Sequence, residues 1–459
     1  MTLSSYLDSL KNKSVAVIGI GVSNVPLIRL LCNAGIHVTA CDKKDRIALG
    51  TVADELEAMG CHFRLGEGYL QGLREDVIFR TPGLHPRFLE EAKERGSVIT
   101  SEMEVFFDVC PCPIIAVTGS DGKTTTTTMI AGLLRASGKT VHLGGNIGHP
   151  LLADAETIRE DDYAVVELSS FQLMTMKKSP SRAVITNISP NHLDVHTDMD
   201  EYVQAKNMIC AYQQSGDILV TNLDNEITTE LSRKSNASIR YFVRQKNEIP
   251  AVGCYLKDDA IWYRDNSGER SVLPLRDILL PGVHNIENYM AAICTVQDLV
   301  EDEIIRSYAR TFGGVEHRIE LIRNRRGVRW YNDSIASSPS RTIAGLNSFS
   351  EKVILIAGGK DKGISYDALG PVVNEHVKYL ILCGATAGVI REAVEKADNY
   401  HGLEIVDVED YTQAVSLADS RAMEGDVVIL SPASTSFDRF KNFEERGRVF
   451  KDIVNALSE

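Results

Sequence analysis

The chain has 459 residues, 44% hydrophobic and 24% charged, the make-up of a globular protein long enough for about two to four domains. Its 49 Lys and Arg against 63 Asp and Glu leave a net charge of −14. That balance argues against a nucleic-acid surface, which would be basic, but leaves room for an anionic small molecule held by local groups. No apolar run reaches the length of a membrane helix, and none follows the N-terminal start as a signal peptide would. Nine cysteines are scattered along the chain. The close pair, Cys110-Pro111-Cys112, has no second Cys/His pair nearby to complete a zinc site, so free thiols in a reducing cytosol are expected.

The first segment opens with "KSVAVIGIG", a short apolar run ending in glycine, as a buried parallel strand does. "NVPLIRLLCNAG" reads as a helix with Val25, Ile28, Leu31 and Cys32 on one side and Gly35 as its stop. "HVTACD" is the next strand. The turn carries Gly19-x-Gly21, but Asn24 stands where a dinucleotide fingerprint has its third glycine. Asp42 falls about 20 residues on, where an acid meets a sugar hydroxyl. Ligand binding and a plain structural turn both remain open on this spacing. A second turn, "FRTPGLHP", faces the same crevice if its "DVIF" is a neighbouring strand.

The second segment starts at "VCPCPIIAVTGSDGKTT", whose prolines read as a linker. "IIAVTG" is a strand, and "TTTTTMIAGLLRASG" a helix ended by Gly138. Strand, glycine turn and helix are the context of a phosphate loop, although the gap between Gly119 and Gly122 is shorter than in the usual pattern. The N–H groups and positive dipole end of such a helix favour an anion. Lys123 adds a mobile charge and Thr124 a hydroxyl for Mg²⁺. "DYAVVELSSFQL" and "AVITNISPNHLDVH" are further strands with polar tails. Glu167, Asn187, His192 and Asp194 fall there, as candidate Mg²⁺ ligands or metal-side partners, a hard cation preferring their oxygens.

In the third segment, after "TFGGVEHRIELI", strands read at "GVRWYNDS", "KVILIAGG", "KYLILCG", "LEIVDV" and "DVVILSPAS", with helices between them at "SPSRTIAGLNSF" and "TQAVSLADSRAM". The alternation predicts another parallel sheet. Its polar tails, 332–334, 358–363 and 431–434, are expected on one edge.

Taken together, "TGSDGKTT", "GGNIG", "ELSSFQL", "NHLD", "YVQAK", "GVHNIEN", "EHR", "YNDS", "GGKDKG" and "SPASTSFDRFKNFEERG" resemble the Mur ligases of bacterial cell-wall synthesis, over essentially the whole chain. The tail string and the first glycine turn favour the D-glutamate-adding branch. The short phosphate loop is a trait of that family. The resemblance implies an α/β protein of three domains: a Rossmann-like domain for a UDP-linked substrate (1–103), a central P-loop-type ATPase domain with a mostly parallel sheet (104–314), and a Rossmann-like C-terminal domain for the amino acid (315–459). It implies ATP-driven amide formation between UDP-N-acetylmuramoyl-L-alanine and D-glutamate through an acyl phosphate, by a cytoplasmic monomer. Bringing a carboxylate up to a polyanionic nucleotide costs about 4 kcal/mol per unit-charge pair near 4 Å, so two Mg²⁺ ions and Lys123 are expected in the site.

By the same resemblance, Gly119, Ser120, Asp121, Gly122, Lys123, Thr124 and Thr125 cradle ATP, Asn285 and Asn288 hold the adenine, and Arg318 and Asp333 serve the same nucleotide. Thr124 and Glu167 take one Mg²⁺, His192 and Lys206 the other. Lys206 reads from sequence as a solvated helix lysine; the family's matching lysine is carbamylated, which makes it an anionic ligand. Lys123, His192 and Lys206 are the catalytic candidates. Ile20, Gly21, Val22, Ser23, Asp42, Lys43, Thr81 and Asn146 are implied for the UDP substrate, and Ser337, Lys362, Ser436 and Phe443 for D-glutamate. Many members carry a lysine after "NDS"; Ile335 stands there, with Lys360 or Arg341 as substitutes for the charge. A hinge near 311–318 is expected. The rival readings are a relative adding another amino acid and a nucleotide-dependent switch.

Overall fold

The computed structural model describes residues 1–190, 195–246 and 248–458. Among these the chain builds three sheets, most of whose pairings are parallel. The first holds β1 (Val15–Ile18), β2 (Val38–Asp42), β3 (His62–Leu65), β4 (Val77–Phe79) and β5 (Val98–Thr100) in the order β3-β2-β1-β4-β5, parallel throughout. All four residues of β1 are buried, as a strand covered on both faces requires. The helix after it, Asn24–Asn33, buries Asn24, Leu27, Ile28 and Leu31, a stripe with helical spacing. This corrects the expected stripe: Val25 and Cys32 are only half-buried. Asn24 is inside because its side-chain amide donates to the Ile18 carbonyl at 2.8 Å, bracing the turn.

The second sheet holds β6 (Ile114–Thr118), β7 (Val141–Gly145), β8 (Tyr163–Glu167), β9 (Arg182–Ile185), β10 (Ile218–Asn222), β11 (Ser238–Val243), β12 (Gly253–Lys257), β13 (Ala260–Asp265) and β14 (Gly268–Pro274). Its order is β14-β13-β12-β11-β10-β9-β6-β8-β7. Only β13 and β14 run antiparallel to their neighbours. Asp258 and Asp259, both with left-handed φ (+49° and +52°), make the two-residue turn that reverses the chain between β12 and β13.

The third sheet holds β15 (Glu320–Arg325), β16 (Val328–Asn332), β17 (Val353–Ala357), β18 (Val377–Cys383), β19 (Ile405–Val408) and β20 (Val427–Leu430), ordered β15-β16-β20-β17-β18-β19. Only β15 is antiparallel. Since β16, β20 and β17 are parallel neighbours, their polar tails share one edge, where the sequence put them.

The chain divides into two compact units, Met1–Asp277 with Ile286–Tyr308, and Ile278–Asn285 with Ala309–Glu459. In the first unit one hydrophobic core runs through both sheets, joining Val15 and Val17 to Ala116 and Val166. The helix Glu102–Val109 supplies Met103, Phe106 and Phe107 to the buried interior. The expected 103/104 boundary falls inside this helix. No helix among the described residues is long and apolar enough to cross a membrane.

Glu102, at the first position of that helix, is 7% exposed, and its Oε1 accepts the Leu152 N–H at 2.8 Å. Burial pushes its carboxyl up to about 7, against the pull of the Leu152 and Leu151 N–H groups. A raised carboxyl binds its proton more tightly folded than unfolded, so the folded state loses stability as pH rises from the unfolded value through 7. The Glu102→Gln variant removes that slope. Thermal melts between pH 5 and 8 should show wild type falling relative to the variant, by at most about 3 kcal/mol. Parallel curves would place the ionisation elsewhere.

Candidate functional site

The loop from β6 to the helix Lys123–Ala136 is the centre of the site. Gly119 has φ +152° and Gly122, the residue before the helix, φ +76°. A Cβ on Gly119 would lie 1.9 Å from Thr186 Oγ1, and one on Gly122 2.4 Å from Asn288 Oδ1. Both glycines are therefore demanded by close approach as well as by backbone angle. The segment after β9 clamps the loop from the side: Ser120 N–H donates to the Asn187 carbonyl (2.9 Å), Asp121 N–H to Asn187 Oδ1 (3.0 Å), and Thr186 Oγ1 to the Asp121 carbonyl (2.6 Å). Gly122 offers no side-chain oxygen, and the helix starts without a side-chain cap. The 14-residue helix thus presents its positive end at the loop.

Around this cradle, Thr124 Oγ1 donates to Glu167 Oε2 at 2.7 Å, and Asn146 Nδ2 donates to Glu167 Oε1 at 2.7 Å. Glu167 ends β8 and is 1% exposed. The expected metal pair Thr124 and Glu167 is in direct contact, with Asn146 beside it. An oxygen-only set of hydroxyl, carboxylate and amide suits a hard divalent cation. Lys123 folds back, its Nζ donating to the Gly119 and Ser120 carbonyls at 2.9 Å each. Asn288 reaches the same loop, its Oδ1 accepting from Thr126 Oγ1 at 3.2 Å.

The reading of Lys206 as a solvated lysine is overturned. It is 1% exposed, and its Nζ donates to the Gly119 carbonyl at 2.7 Å and lies 3.4 Å from Thr118 Oγ1. The Tyr202 ring covers it at 4.7 Å, and Tyr202 in turn bonds Ser120 Oγ at 3.0 Å. Burial, and then the charge of Lys123, push the amine down to about 7, against Glu167 and Asp121. His192 and Asp194 lie outside the described residues. Asn187, a cation candidate from sequence, holds the loop instead.

In the first sheet the strand order reverses between β1 and β4, the crevice where open α/β sheets bind ligands. Gly21, Val22, Ser23 and Lys43 are exposed there. Thr81, after β4, lies against Gly19. Asp42 is buried: its Oδ2 accepts the Ile20 N–H at 2.6 Å and its Oδ1 the Lys44 N–H at 2.9 Å. Its oxygens shape the two turns. Arg80, which sequence reasoning passed over, is 1% exposed and reaches across to the Phe171 carbonyl (2.8 Å) and Thr175 Oγ1 (3.1 Å). A charged residue at the end of the apolar "DVIF" was the available signal. A cavity of about 20 Å³ is lined by Ser23, Arg80, Glu102, Gly145 and Gln172.

In the second unit, the tails of β16 and β20 are tied by Arg446, 0% exposed, which donates to Ser334 Oγ (3.0 Å), the Ser334 carbonyl (2.8 Å) and the Ser434 carbonyl (3.0 Å). Ser334 Oγ donates to the Phe443 carbonyl at 2.8 Å. Lys360 pairs its backbone with Thr435, next to the buried Ser436. Phe443 and Ser436 are therefore brought to one edge; Lys362 is exposed in the 358–363 loop and Ser337 half-buried in the turn after Asp333. Asp333 accepts from Ser431 Oγ at 2.7 Å, and burial pushes its carboxyl up to about 7. Arg318 lies exposed between His317 and Ile319, both with left-handed φ of +65° and +44°. Asn285 donates to the Pro281 carbonyl at 2.6 Å. At the position after "NDS", the Ile335 carbonyl accepts from Arg341 Nη1 at 3.1 Å.

Residues 117–296 match the Mur ligase middle domain, and 317–434 the Mur ligase glutamate ligase domain. The chain is 52% identical over 463 residues to a UDP-N-acetylmuramoylalanine–D-glutamate ligase of Acetivibrio thermocellus, covering 99% of each chain. The chain belongs to the Mur ligase family. A ligase of the same name from Ruminiclostridium cellulolyticum is 50% identical over 462 residues, again 99% of each. Among solved structures, the fold is similar to UDP-N-acetylmuramate-alanine ligase of Thermotoga maritima (TM-score 0.58, 17% identity, 97% of this chain and 100% of that one). It is also similar to the MurF ligase of that organism, solved with ADP (TM-score 0.55, 17% identity, 96% and 94%).

The loop of this Mur ligase depends on having no side chain at Gly119. Gly119→Ala should lower stability by about 1–3 kcal/mol and weaken binding of a fluorescent ATP analogue about tenfold or more. Adding Thr186→Ser, which keeps the hydroxyl, should restore neither, because the clash is with Oγ1. Equal melting and binding in Gly119→Ala would refute the steric account.

Proposed function

We propose that this Mur ligase is an ATP-dependent amide ligase that joins D-glutamate to UDP-N-acetylmuramoyl-L-alanine in cytoplasmic peptidoglycan-precursor synthesis. The observation that carries the reaction class is the convergence of Lys123, Thr124, Asn146, Glu167 and Lys206 on one phosphate loop. The choice of substrates rests on full-length relatives of that name at about half identity. A substrate carboxylate oxygen attacks the γ-phosphorus of ATP and ADP leaves; the amine of D-glutamate then attacks the acyl carbon and phosphate leaves. Mg²⁺, when bound, supplies charge neutralisation and a template for the phosphates.

The chain's own residues do the rest. The loop Gly119–Thr125 cradles the phosphates through the N–H groups at the start of its helix and the Lys123 ammonium, while the Ser120 and Asp121 N–H groups hold the loop to Asn187, and Asn285 and Asn288 take the adenine. Arg318 and Asp333 serve the same nucleotide. Thr124 and Glu167 hold one Mg²⁺. His192 and Lys206 serve a second, for which Lys206 fits only in another chemical form. An amine offers a hard cation no anionic oxygen, whereas the carbamate formed by its addition to CO₂ offers two. Among the described residues its hydrogen-bond partners are the Gly119 carbonyl and Thr118 hydroxyl rather than a carboxylate, which favours that modification. The first-sheet crevice, with Ile20, Gly21, Val22, Ser23, Asp42, Lys43 and Thr81, takes the UDP substrate, Asn146 facing its muramoyl-alanine part. Ser337, Lys362, Ser436 and Phe443 take D-glutamate. The protein works as a monomer of three domains, 1–103, 104–314 and 315–459; all nine cysteines are free thiols, in keeping with a reducing compartment.

The test is phosphate release with ATP, Mg²⁺ and UDP-N-acetylmuramoyl-L-alanine, each amino acid supplied singly. Release that requires D-glutamate, with a product heavier by one glutamate residue, is expected; dependence on another amino acid would sink the substrate assignment and spare the ligase chemistry. Lys206→Ala should lose activity by about 10²-fold or more, and a short-chain carboxylate in the buffer should restore part of it. No rescue, together with no carbamate signal in ¹³C NMR after ¹³C-bicarbonate labelling of wild type, would remove the carbamate.

Ile335 stands where the family's lysine is missing, and Arg341, which donates to the Ile335 carbonyl, supplies the charge instead. Arg341→Ala should raise KM for D-glutamate about tenfold with a smaller change in kcat, and Ile335→Lys in that background should recover it. An unchanged KM in Arg341→Ala would leave the charge to another residue.

A further inference from the structure

The pair Cys110 and Cys112 plays no part in the proposed ligase chemistry, yet its geometry is that of a working dithiol. The two sulfurs are 3.6 Å apart, in hydrogen-bond contact, and Cys110 Sγ also points at the Cys112 carbonyl at 3.6 Å. Pro111 between them is exposed. Cys110 caps the C-terminus of the helix Glu102–Val109 and is half-buried. Cys112 is 6% exposed, packed in the core beside Val109 and Ile114.

We propose that Cys110 and Cys112 form a reversible oxidation site, which a hydroperoxide converts to an intramolecular disulfide. The sulfurs need to close by only about 1.5 Å to reach bonding distance. The two thiols differ as such a reaction requires. The hydrogen bond from Cys112 holds the Cys110 thiol below its ordinary value, against burial. The same bond and burial push Cys112 up. The half-exposed Cys110 is the attacking thiolate, and the buried Cys112 the resolving thiol. In balance, the Cys110 thiolate takes an oxygen from the hydroperoxide, releasing hydroxide or alkoxide, and becomes a sulfenic acid. The Cys112 sulfur then displaces that oxygen, and hydroxide with the Cys112 proton leaves as water. The ring so closed spans three residues and is strained, which makes it easy to reduce again.

The other close cysteines lack these features. Cys254 and Cys294 are fully buried, out of reach of an oxidant. Cys32 hydrogen-bonds with Cys61, but burial pushes both thiols up. The bond would tie the end of one helix to the second residue before β6, the strand that delivers the phosphate loop.

The test uses the full-length protein, reduced and then treated with a small excess of hydrogen peroxide, its remaining thiols alkylated before tryptic digestion. The peptide 96–123 holds Cys110 and Cys112 and no other cysteine. The expected result is that peptide lighter by two hydrogen atoms and free of alkyl groups, and carrying two alkyl groups after dithiothreitol. In Cys112→Ser, Cys110 should instead accumulate a sulfenic acid that dimedone traps, and Cys110→Ser should leave Cys112 alkylated. Two alkyl groups on that peptide while Cys32 or Cys61 is oxidised would overturn the proposal. So would Cys110 passing to sulfinic acid in wild type without the disulfide.

Discussion

The site depends on a single constraint: a short loop must leave the start of its helix open while the rest of its backbone is satisfied from the side and from behind. The usual phosphate loop has more residues in which to make that turn. Here the turn is tightened by two glycines in left-handed backbone and clamped by Thr186 and Asn187 from the next strand. The parallel pairing of β6 with β9 makes this clamp available, since it brings both strand ends to the same edge at the same height. The loop is therefore a property of the sheet as much as of its own residues.

Behind the loop, the Gly119 carbonyl accepts from two lysines, Lys123 and Lys206. Two ammonium groups on one oxygen repel each other, and only one of them can reach water. Lys206 is the buried one, and burial first, with the charge of Lys123 adding to it, pushes its amine down to about 7. Such an arrangement is costly for a protein that only needs to fold.

Much of the fold was legible in the sequence. Apolar runs ending in glycine or polar residues marked β1, β6, β8, β16, β17 and β20, and the strand ends they announced are where the candidate residues lie. The half-exposed β3 and the short β5 lacked that contrast. The hairpin of β12 to β14 was missed because its first turn is made by two aspartates rather than glycine or asparagine. Lys206 was misread because a polar, weakly apolar helix such as Met199–Asn207 gives no sign that one lysine faces inward; burial there comes from Tyr202 and the loop, neither of which is local in sequence. Arg80 and Arg446 were missed for the same reason. Each is buried by carbonyls from distant segments, and no periodicity reports that.

These buried cations show how loops can be made exact without a large apolar interior. A guanidinium has five donors in a fixed fork, so one Arg446 can pin two strand tails by their carbonyls, and one Arg80 can hold its own turn while reaching a loop of the next sheet. Glu102 does the converse with an acceptor, gathering the Leu152 N–H at the start of a short helical turn. In each case backbone groups are among the bonded partners, and these are not removed by substitution. The turn after Asp333 is held the same way, Arg341 bracing it through the Ile335 carbonyl rather than through a side chain.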